Sequence, residues 1–334
     1  MDLFIPTLGK MVYLVAFILI GYLLARFDAI KTEAAGMLSK LENIVFIPAL
    51  MISTFMSDFS VSELKSSWKL VLFSIAIEMV FLPLSLWVGR KCSKDPSEQK
   101  ILAYGLAFSN FGYMGHAVVQ AIFAQYFREY VLFTLPLYVI IYVWAVPALL
   151  MPNEQKQGWK KKVAAVFNGK VIGMLVGMAI GLLRSSFTDL IPLVAEGGVP
   201  DTVGAALINS VFSVIKTAGD CMSPVAMLLT GITIASIDLS KVFRAWDIYL
   251  VTFLRLAVYP LVGFGILVFL DIPDVYKLCA VCALAMPLGL SNVVIPAAYG
   301  MDTTKAAAMA LVSHLISIAT IPLMFMLLRM TVMT

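Results

Sequence analysis

The sequence predicts an all-α polytopic membrane protein with ten transmembrane helices, arranged as two inverted five-helix repeats. The 334-residue chain is 61% hydrophobic and 13% charged, whereas a soluble domain contains about 25% charged residues. Its apolar residues fall into ten runs near the ~20 residues that cross a bilayer. Landmarks in the last five runs repeat those in the first five at a nearly constant offset.

The ten apolar runs are predicted to be membrane helices 1 to 10. Their approximate positions are 8–26, 38–56, 67–89, 100–125, 130–151, 169–187, 205–236, 245–270, 276–299 and 304–330. The seventh run is longer than a membrane span requires and is polar in its first half.

Lysine and arginine residues indicate the orientation of these helices. Loops 1–2, 3–4, 5–6, 7–8 and 9–10, with the adjoining helix ends, hold 15 of them, against 8 on the other side. The positive-inside rule therefore predicts a multi-pass protein of the cell (plasma or inner) membrane with both termini outside the cytoplasm. A small net charge of +4, placed in short loops, is typical of membrane topology and argues against a nucleic-acid partner.

The longest polar connection, at 152–168, divides the chain into a first repeat at 1–151 and a second at 169–334. Three landmarks recur in the same order at an offset of 176 or 177 residues, namely Pro48 with Pro224, Glu78 with Arg255, and Asn110-Phe111-Gly112 with Pro287-Leu288-Gly289. Gly21 and Gly181 are 160 residues apart, and the extra polar stretch at 196–201 accounts for the difference. Two copies of a unit with an odd number of spans must insert in opposite orientations, which predicts an inverted repeat.

Helices 4 and 9 are predicted to be broken near the middle of the membrane. The segments 107–116 and 285–296 each combine glycine or proline with asparagine and serine. Such a break exposes backbone groups that lipid cannot satisfy, so it occurs where it lines a cavity or is covered by protein. Interrupted spans at matching places in two repeats indicate a transporter site, and half-helix N-termini suit a carboxylate. The alternative is a pair of kinked packing helices.

At these segments the chain resembles the auxin efflux carrier family, which includes bacterial organic-acid permeases and plant PIN carriers. Four stretches carry the resemblance, in the family's order: Leu38–Leu50, Asn110–Gly115, Asp220–Gly231 and Ala285–Asp302. The resemblance implies a homodimer with an elevator mechanism and an organic anion as substrate. Helices 1, 2, 6 and 7 would form a scaffold, and helices 3–5 and 8–10 a moving transport domain.

The resemblance also implies a substrate site, carried over residue by residue. Its members would be Asn110, Gly112 and Gly115 in helix 4, Pro287, Ser291 and Asn292 in helix 9, and Pro48, Met51 and Asp220 on the scaffold side. The chain departs from the family motif because His116-Ala117 replaces its Ile-Pro. A histidine, with an unperturbed pKa of about 6.5, favours pH-dependent transport.

Charged residues inside the predicted spans are further candidates for the site or for ion coupling. Glu78 and Arg255 lie near mid-membrane, where each needs protein or water around it, and they are predicted either to pair or to have separate partners. Lys216 and Asp220 share a helix face and form either a local ion pair or part of the substrate or ion path. Proton coupling, sodium coupling and uniport remain open.

The sequence predicts neither a cofactor nor a metal site, and it does not predict an enzyme. There is no H-E-x-x-H motif, and Gly219-Asp220 has no second Gly-Asp to form an aspartyl dyad. The alternative function is a cation/proton exchanger of related inverted-repeat fold. The asparagines at both breaks argue against it, because an exchanger usually needs carboxylates there.

Overall fold

The computed structural model describes residues 4–56, 59–151, 158–160, 167–186, 202–235, 246–298, 301 and 303–332. These residues form helices and contain no strand, so the all-α prediction is confirmed for this part of the chain. The extra polar stretch at 196–201 and most of the connection at 152–168 lie outside the described residues.

The helices follow the predicted runs closely. In the first half they are α1 Phe4–Arg26, α2 Ala34–Met56, α3 Val61–Cys92, α4 Pro96–Ala107, α5 His116–Ile122 and α6 Ala124–Leu150. In the second half they are α7 Gly169–Ser186, α8 Val203–Ala235, α9 Trp246–Val268, α10 Asp274–Ala285, α11 Ser291–Ala298 and α12 Thr304–Val332. A π-helical turn at Phe111–Gly115 leads into α5, and α8 is interrupted by a turn at Cys221.

Six of these helices are long and apolar enough to cross a membrane: α2, α3, α6, α8, α9 and α12. Within α1, Val15–Arg26 is a shorter apolar stretch. The fourth and ninth predicted runs are each divided into two short helices, α4 with α5 and α10 with α11. The structure thus supports a multi-pass membrane protein, while the total of ten spans stays a prediction.

The outer surface of α3 has the character of a lipid-facing helix. Met79 is 69% exposed, and Trp68 and Trp87 are also largely exposed. The two tryptophans are 19 residues apart, or about 29 Å along a helix, close to the ~30 Å thickness of the hydrocarbon layer. Tryptophan is enriched at both membrane–water interfaces, so this spacing fits a helix that crosses the bilayer.

Local sequence signals account for the helix starts around the first break. Ser60 caps α3 in a capping box with Glu63, and the side chain of Asp95 caps α4, which begins at Pro96. Lys305 at the start of α12 bridges Glu98 and Asp247 at 2.7 and 2.6 Å. The starts of α4, α9 and α12 therefore meet on one side of the molecule.

The closest helix packing occurs where glycines face a neighbouring backbone. In α1, a Cβ on Gly21 would overlap the carbonyl of Leu228, and one on Gly231 of α8 would overlap that of Ile18. In α7, a Cβ on Gly173 or Gly177 would come within 2.7 and 2.9 Å of backbone oxygens of α2. The chain therefore pairs α1 with the second half of α8, and α7 with the second half of α2.

Candidate functional site

The two helix breaks lie side by side and are joined through their backbones. Ser109 and Leu288 form an isolated antiparallel bridge. The amide of Asn110 donates to the Pro287 carbonyl at 2.7 Å, and the amide of Gly289 donates to Phe108 O at 3.4 Å. Each break thus satisfies backbone groups that the other exposes, which is a requirement inside a membrane. A Cβ on Gly289 would lie 3.2 Å from Ser109 O, so a glycine there permits the close approach.

Asn110 connects the first break to α12. Its Oδ1 accepts from the amide of Met114 at 3.4 Å, which caps the following helical segment. Its Nδ2 lies 3.1 Å from Nε2 of His314, and Nδ1 of His314 donates to Ala310 O at 2.7 Å. Because Nδ1 carries the hydrogen in this arrangement, Nε2 accepts from Asn110.

Asn292 holds the second break against α4 and keeps one polar atom free. Its Nδ2 donates to Ile101 O at 3.1 Å, while its buried Oδ1 has no hydrogen-bond partner among the described residues. The neighbouring Ser291 shares a hydrogen bond of 3.0 Å with the hydroxyl of Tyr104. Oδ1 of Asn292 is therefore an acceptor that remains available beside the two joined breaks at 108–110 and 287–289, which we call the crossing.

The two predicted glycines of helix 4 make room for tyrosine hydroxyl groups. A Cβ on Gly112 would overlap the hydroxyl of Tyr138, and one on Gly115 would overlap that of Tyr130. The hydroxyl of Tyr130 donates to Phe111 O at 3.2 Å. Both glycines thus position aromatic side chains of α6 against the first break.

His116 is fully buried behind the first break. Its ring stands edge-to-face against Phe127 and Tyr130. Its Nε2 lies 3.2 Å from Nζ of Lys170, and its Nδ1 has no partner among the described residues. The residue that departs from the family motif therefore contacts a lysine of α7.

Arg255 caps both half-helices that lead into the crossing. It is 2% exposed and lies in a π-helical turn of α9. Its guanidinium group donates to Leu106 O at 2.8 Å, Ala283 O at 3.0 Å and Met286 O at 3.2 Å. These carbonyls lie at the C-terminal ends of α4 and α10, where the helix dipole favours a cation.

Glu78 lines the same small cavity as Arg255, with Ser74 and Ser109. No ion pair joins Glu78 to Arg255 in the part of the chain that the structure describes, so Arg255 has separate partners. Oε1 of Glu78 and Oγ of Ser74 are buried without partners among the described residues. The cavity is large enough for one water molecule.

The scaffold-side candidates are more dispersed. Pro48 packs against Gly169 and Gly173 at the start of α7, and Met51 is fully buried in the core. Lys216 and Asp220 are exposed on α8, and Oδ1 of Asp220 accepts from Nε2 of Gln120 at 3.4 Å.

The structure adds two charged residues that sequence reasoning missed. Lys170 follows the lysine-rich connection at 152–168. The positive-inside rule therefore attributes its charge to membrane topology and not to a site. Glu42 is fully buried, and neither carboxylate oxygen has a partner among the described residues. The signal for Glu42 was available, since an acidic residue six positions before Pro48 lies within a predicted span.

Comparison with known proteins identifies the family of this fold. Residues 6–325 match the family described as "Membrane transport protein". No curated protein matches the chain. The family match covers nearly the whole chain and confirms the resemblance to auxin efflux carriers that the helix motifs predicted.

Proposed function

Because the chain belongs to the membrane transport protein family of auxin efflux carriers, we propose that it is a secondary transporter of a small organic anion. The anion is a mono- or dicarboxylate, and it crosses by an elevator-type alternating-access mechanism. The observation that carries the proposal is the crossing of the two broken helices, with buried Asn110 and Asn292 beside it.

The chemistry of the crossing suits a carboxylate better than a cation. The first amides of a helix have no partner within that helix and carry partial positive charge. Such ends follow both breaks, at Phe111 and Ser291, where local groups already accept from some of the amides, namely those of Met114, Asn292 and Val293. A cation/proton exchanger usually needs carboxylates at this place, whereas the crossing holds two asparagines. The buried Glu78 and His116 are the proposed residues for proton coupling, and sodium coupling is the other possibility.

The helix packing supports the proposed inverted repeat. Under the repeat, helix 1 corresponds to helix 6 and helix 2 to helix 7, so α1 corresponds to α7 and α2 to α8. The contact of α1 with α8 then corresponds to that of α7 with α2, as the glycine contacts suggest. These four helices are the proposed scaffold, and the helices of the two breaks belong to the proposed transport domain.

A transport assay tests this function. The purified protein is reconstituted into liposomes loaded with radiolabelled lactate, butyrate, malate or succinate, and release is measured with a proton gradient, a sodium gradient or neither. We expect release of at least one acid, and a rate at least about tenfold lower in Asn292→Ala. Only one of the two hydrogens on Nδ2 is used by Ile101 O, so the other can donate to the carboxylate, and one hydrogen bond to a charged group is worth about 1.5–3 kcal/mol. Lys40→Gln, an exposed change on α2, serves as the matched control.

The outcomes separate the candidate functions. If no acid is released and the protein exchanges sodium or potassium for protons, the function is that of the cation/proton exchanger and not that of the anion transporter. Release of an acid at the same rate by Asn292→Ala and the wild type would remove the crossing from the substrate site.

A further inference from the structure

The buried ammonium group of Lys170 has no counter-charge among the described residues. Lys170 is the second residue of α7 and is 8% exposed. Its Nζ lies 3.2 Å from Nε2 of His116 and 3.4 Å from the centroid of the Tyr138 ring. Neither partner is an anion, and no carboxylate pairs with Nζ in the part of the chain that the structure describes.

Two physical effects oppose a cation at this place. An ammonium group loses its hydration on burial, and neither an imidazole nor an aromatic ring compensates for that loss as an anion would. Lys170 also lies in the first turn of an 18-residue helix, where the helix dipole disfavours a positive charge. A lysine at this position therefore does not serve stability, and an anion bound beside it would relieve both costs.

The surroundings of Lys170 connect it to the first helix break. The ring of Tyr138 lies under Nζ, and the hydroxyl of the same tyrosine lies against Gly112. His116 directly follows the π-helical turn that begins after Asn110. Lys170 thus lies where α7 of the proposed scaffold meets α5 and α6 of the proposed transport domain.

We propose that Lys170 binds the carboxylate of the transported anion, next to Tyr138 and the broken segment at Gly112. This inference rests on the proposed function and narrows its substrate. Arg255, the other buried lysine or arginine among the described residues, already donates to three carbonyls. One buried basic side chain remains for the substrate, which favours a single buried carboxylate and therefore a monocarboxylate as the substrate class.

Ligand-induced thermal stabilisation of the purified protein tests the inference. The probes are lactate, butyrate and benzoate as monocarboxylates, malonate, succinate and malate as dicarboxylates, and lactamide, butyramide and benzamide as uncharged counterparts. A ligand that binds the native state raises its melting temperature with increasing concentration. We expect a monocarboxylate to stabilise the wild type, and its amide to have no effect at the same concentration.

The variants locate the effect at Lys170. Lys170→Gln is expected to weaken the binding of the stabilising monocarboxylate by about 30-fold or more, because it removes one member of a buried charge pair. Lys170→Arg keeps a charge and is expected to retain at least part of the binding, and Lys40→Gln is the exposed control. Equal affinity in Lys170→Gln and the wild type would overturn the inference while leaving an organic-anion transporter in place.

The remaining outcomes are equally decisive. Stabilisation by dicarboxylates alone would overturn the single-carboxylate site. If no acid bound and none was released from liposomes, the proposed function would fail and this inference with it. If Lys170→Gln did not fold, the wild-type comparison of acid with amide would still decide, since equal binding of both would exclude recognition by a buried cation.

Discussion

At the scale of single residues, the crossing depends on a few polar side chains that satisfy exposed backbone groups. Arg255 donates to carbonyls of α4 and α10, while Asn110 caps the segment after the first break. Oγ of Ser313 accepts a hydrogen bond from the amide of Leu288 at 3.2 Å. In a membrane these groups have no water to replace a lost partner, so each of these side chains stabilises the break itself.

Arg255→Leu is predicted to destabilise the protein by about 3 kcal/mol or more, because it leaves three carbonyls at the break without their charged donor. The stability of Arg255→Lys is expected to lie between that of the wild type and that of Arg255→Leu, since an ammonium group lacks the planar fork of donors. Thermal unfolding can be followed by reaction of a thiol-specific dye with the buried Cys279 and Cys282. Equal melting temperatures for Arg255→Leu and the exposed control Arg90→Leu would contradict the prediction.

At the scale of helices, small residues decide which helices lie together. The backbones of α1 and α8 meet at Gly21 and Gly231, and those of α7 and α2 meet at Gly173, Gly177 and Gly181. Lipid is as apolar as a leucine side chain, so membrane helices associate through such close packing rather than through the hydrophobic effect.

Gly21→Ala and Gly181→Ala are predicted to lower stability by similar amounts, about 1–3 kcal/mol each, because the added methyl group forces the helices apart. The two positions match under the proposed repeat, and each faces a backbone carbonyl. Gly265→Ala in α9 is the control, since nothing lies within 4 Å of its Cβ position. The melting temperatures of the three variants check the prediction. A loss in Gly265→Ala as large as in the other two would point to a general effect of the substitution.

At the scale of the whole molecule, the two proposed bodies meet where α2 faces the first break. Nδ2 of Asn43 donates to the hydroxyl of Tyr113 at 2.9 Å across this boundary. An elevator movement of the transport domain would have to separate such pairs, whereas contacts inside one body would persist. The same scale includes the orientation of the chain in the membrane.

A cross-link between α2 and the first break is predicted to stop transport. Asn43→Cys with Tyr113→Cys, joined by a short cleavable bis-thiosulfonate in a background without native cysteines, is expected to block release of the substrate until a reductant is added. Glu98→Cys with Asp247→Cys is the matched control, because both residues contact Lys305 within the proposed transport domain. Unchanged transport by the first cross-linked pair would argue against relative movement at this boundary.

The orientation of the chain is predicted from its positive charges and can be measured directly. A single cysteine at Lys94→Cys is expected to react with a membrane-impermeant maleimide only in permeabilised cells, because its loop is predicted to be cytoplasmic. One at Asp271→Cys, in the loop between α9 and α10, is expected to react in intact cells. Both native residues are exposed. The reverse labelling pattern would place both termini in the cytoplasm.

The sequence by itself determined the helical fold class, the approximate positions of the helices and the two broken segments. These are local properties, since apolar length and the placement of Gly, Pro and Asn can be read within a window of about 20 residues. The resemblance to the family followed from the same segments and their order along the chain, and the family match over residues 6–325 confirms it.

Only the tertiary structure decided which partners these residues have. Arg255 donates to three backbone carbonyls and forms no direct ion pair with Glu78 among the described residues. Asn110 contacts His314, and Lys170 lies beside His116 and Tyr138. Asn110 and His314 are 204 positions apart, and Lys170 and His116 are 54 apart. No local pattern encodes such distances, because the relative positions of these side chains depend on how the helices pack.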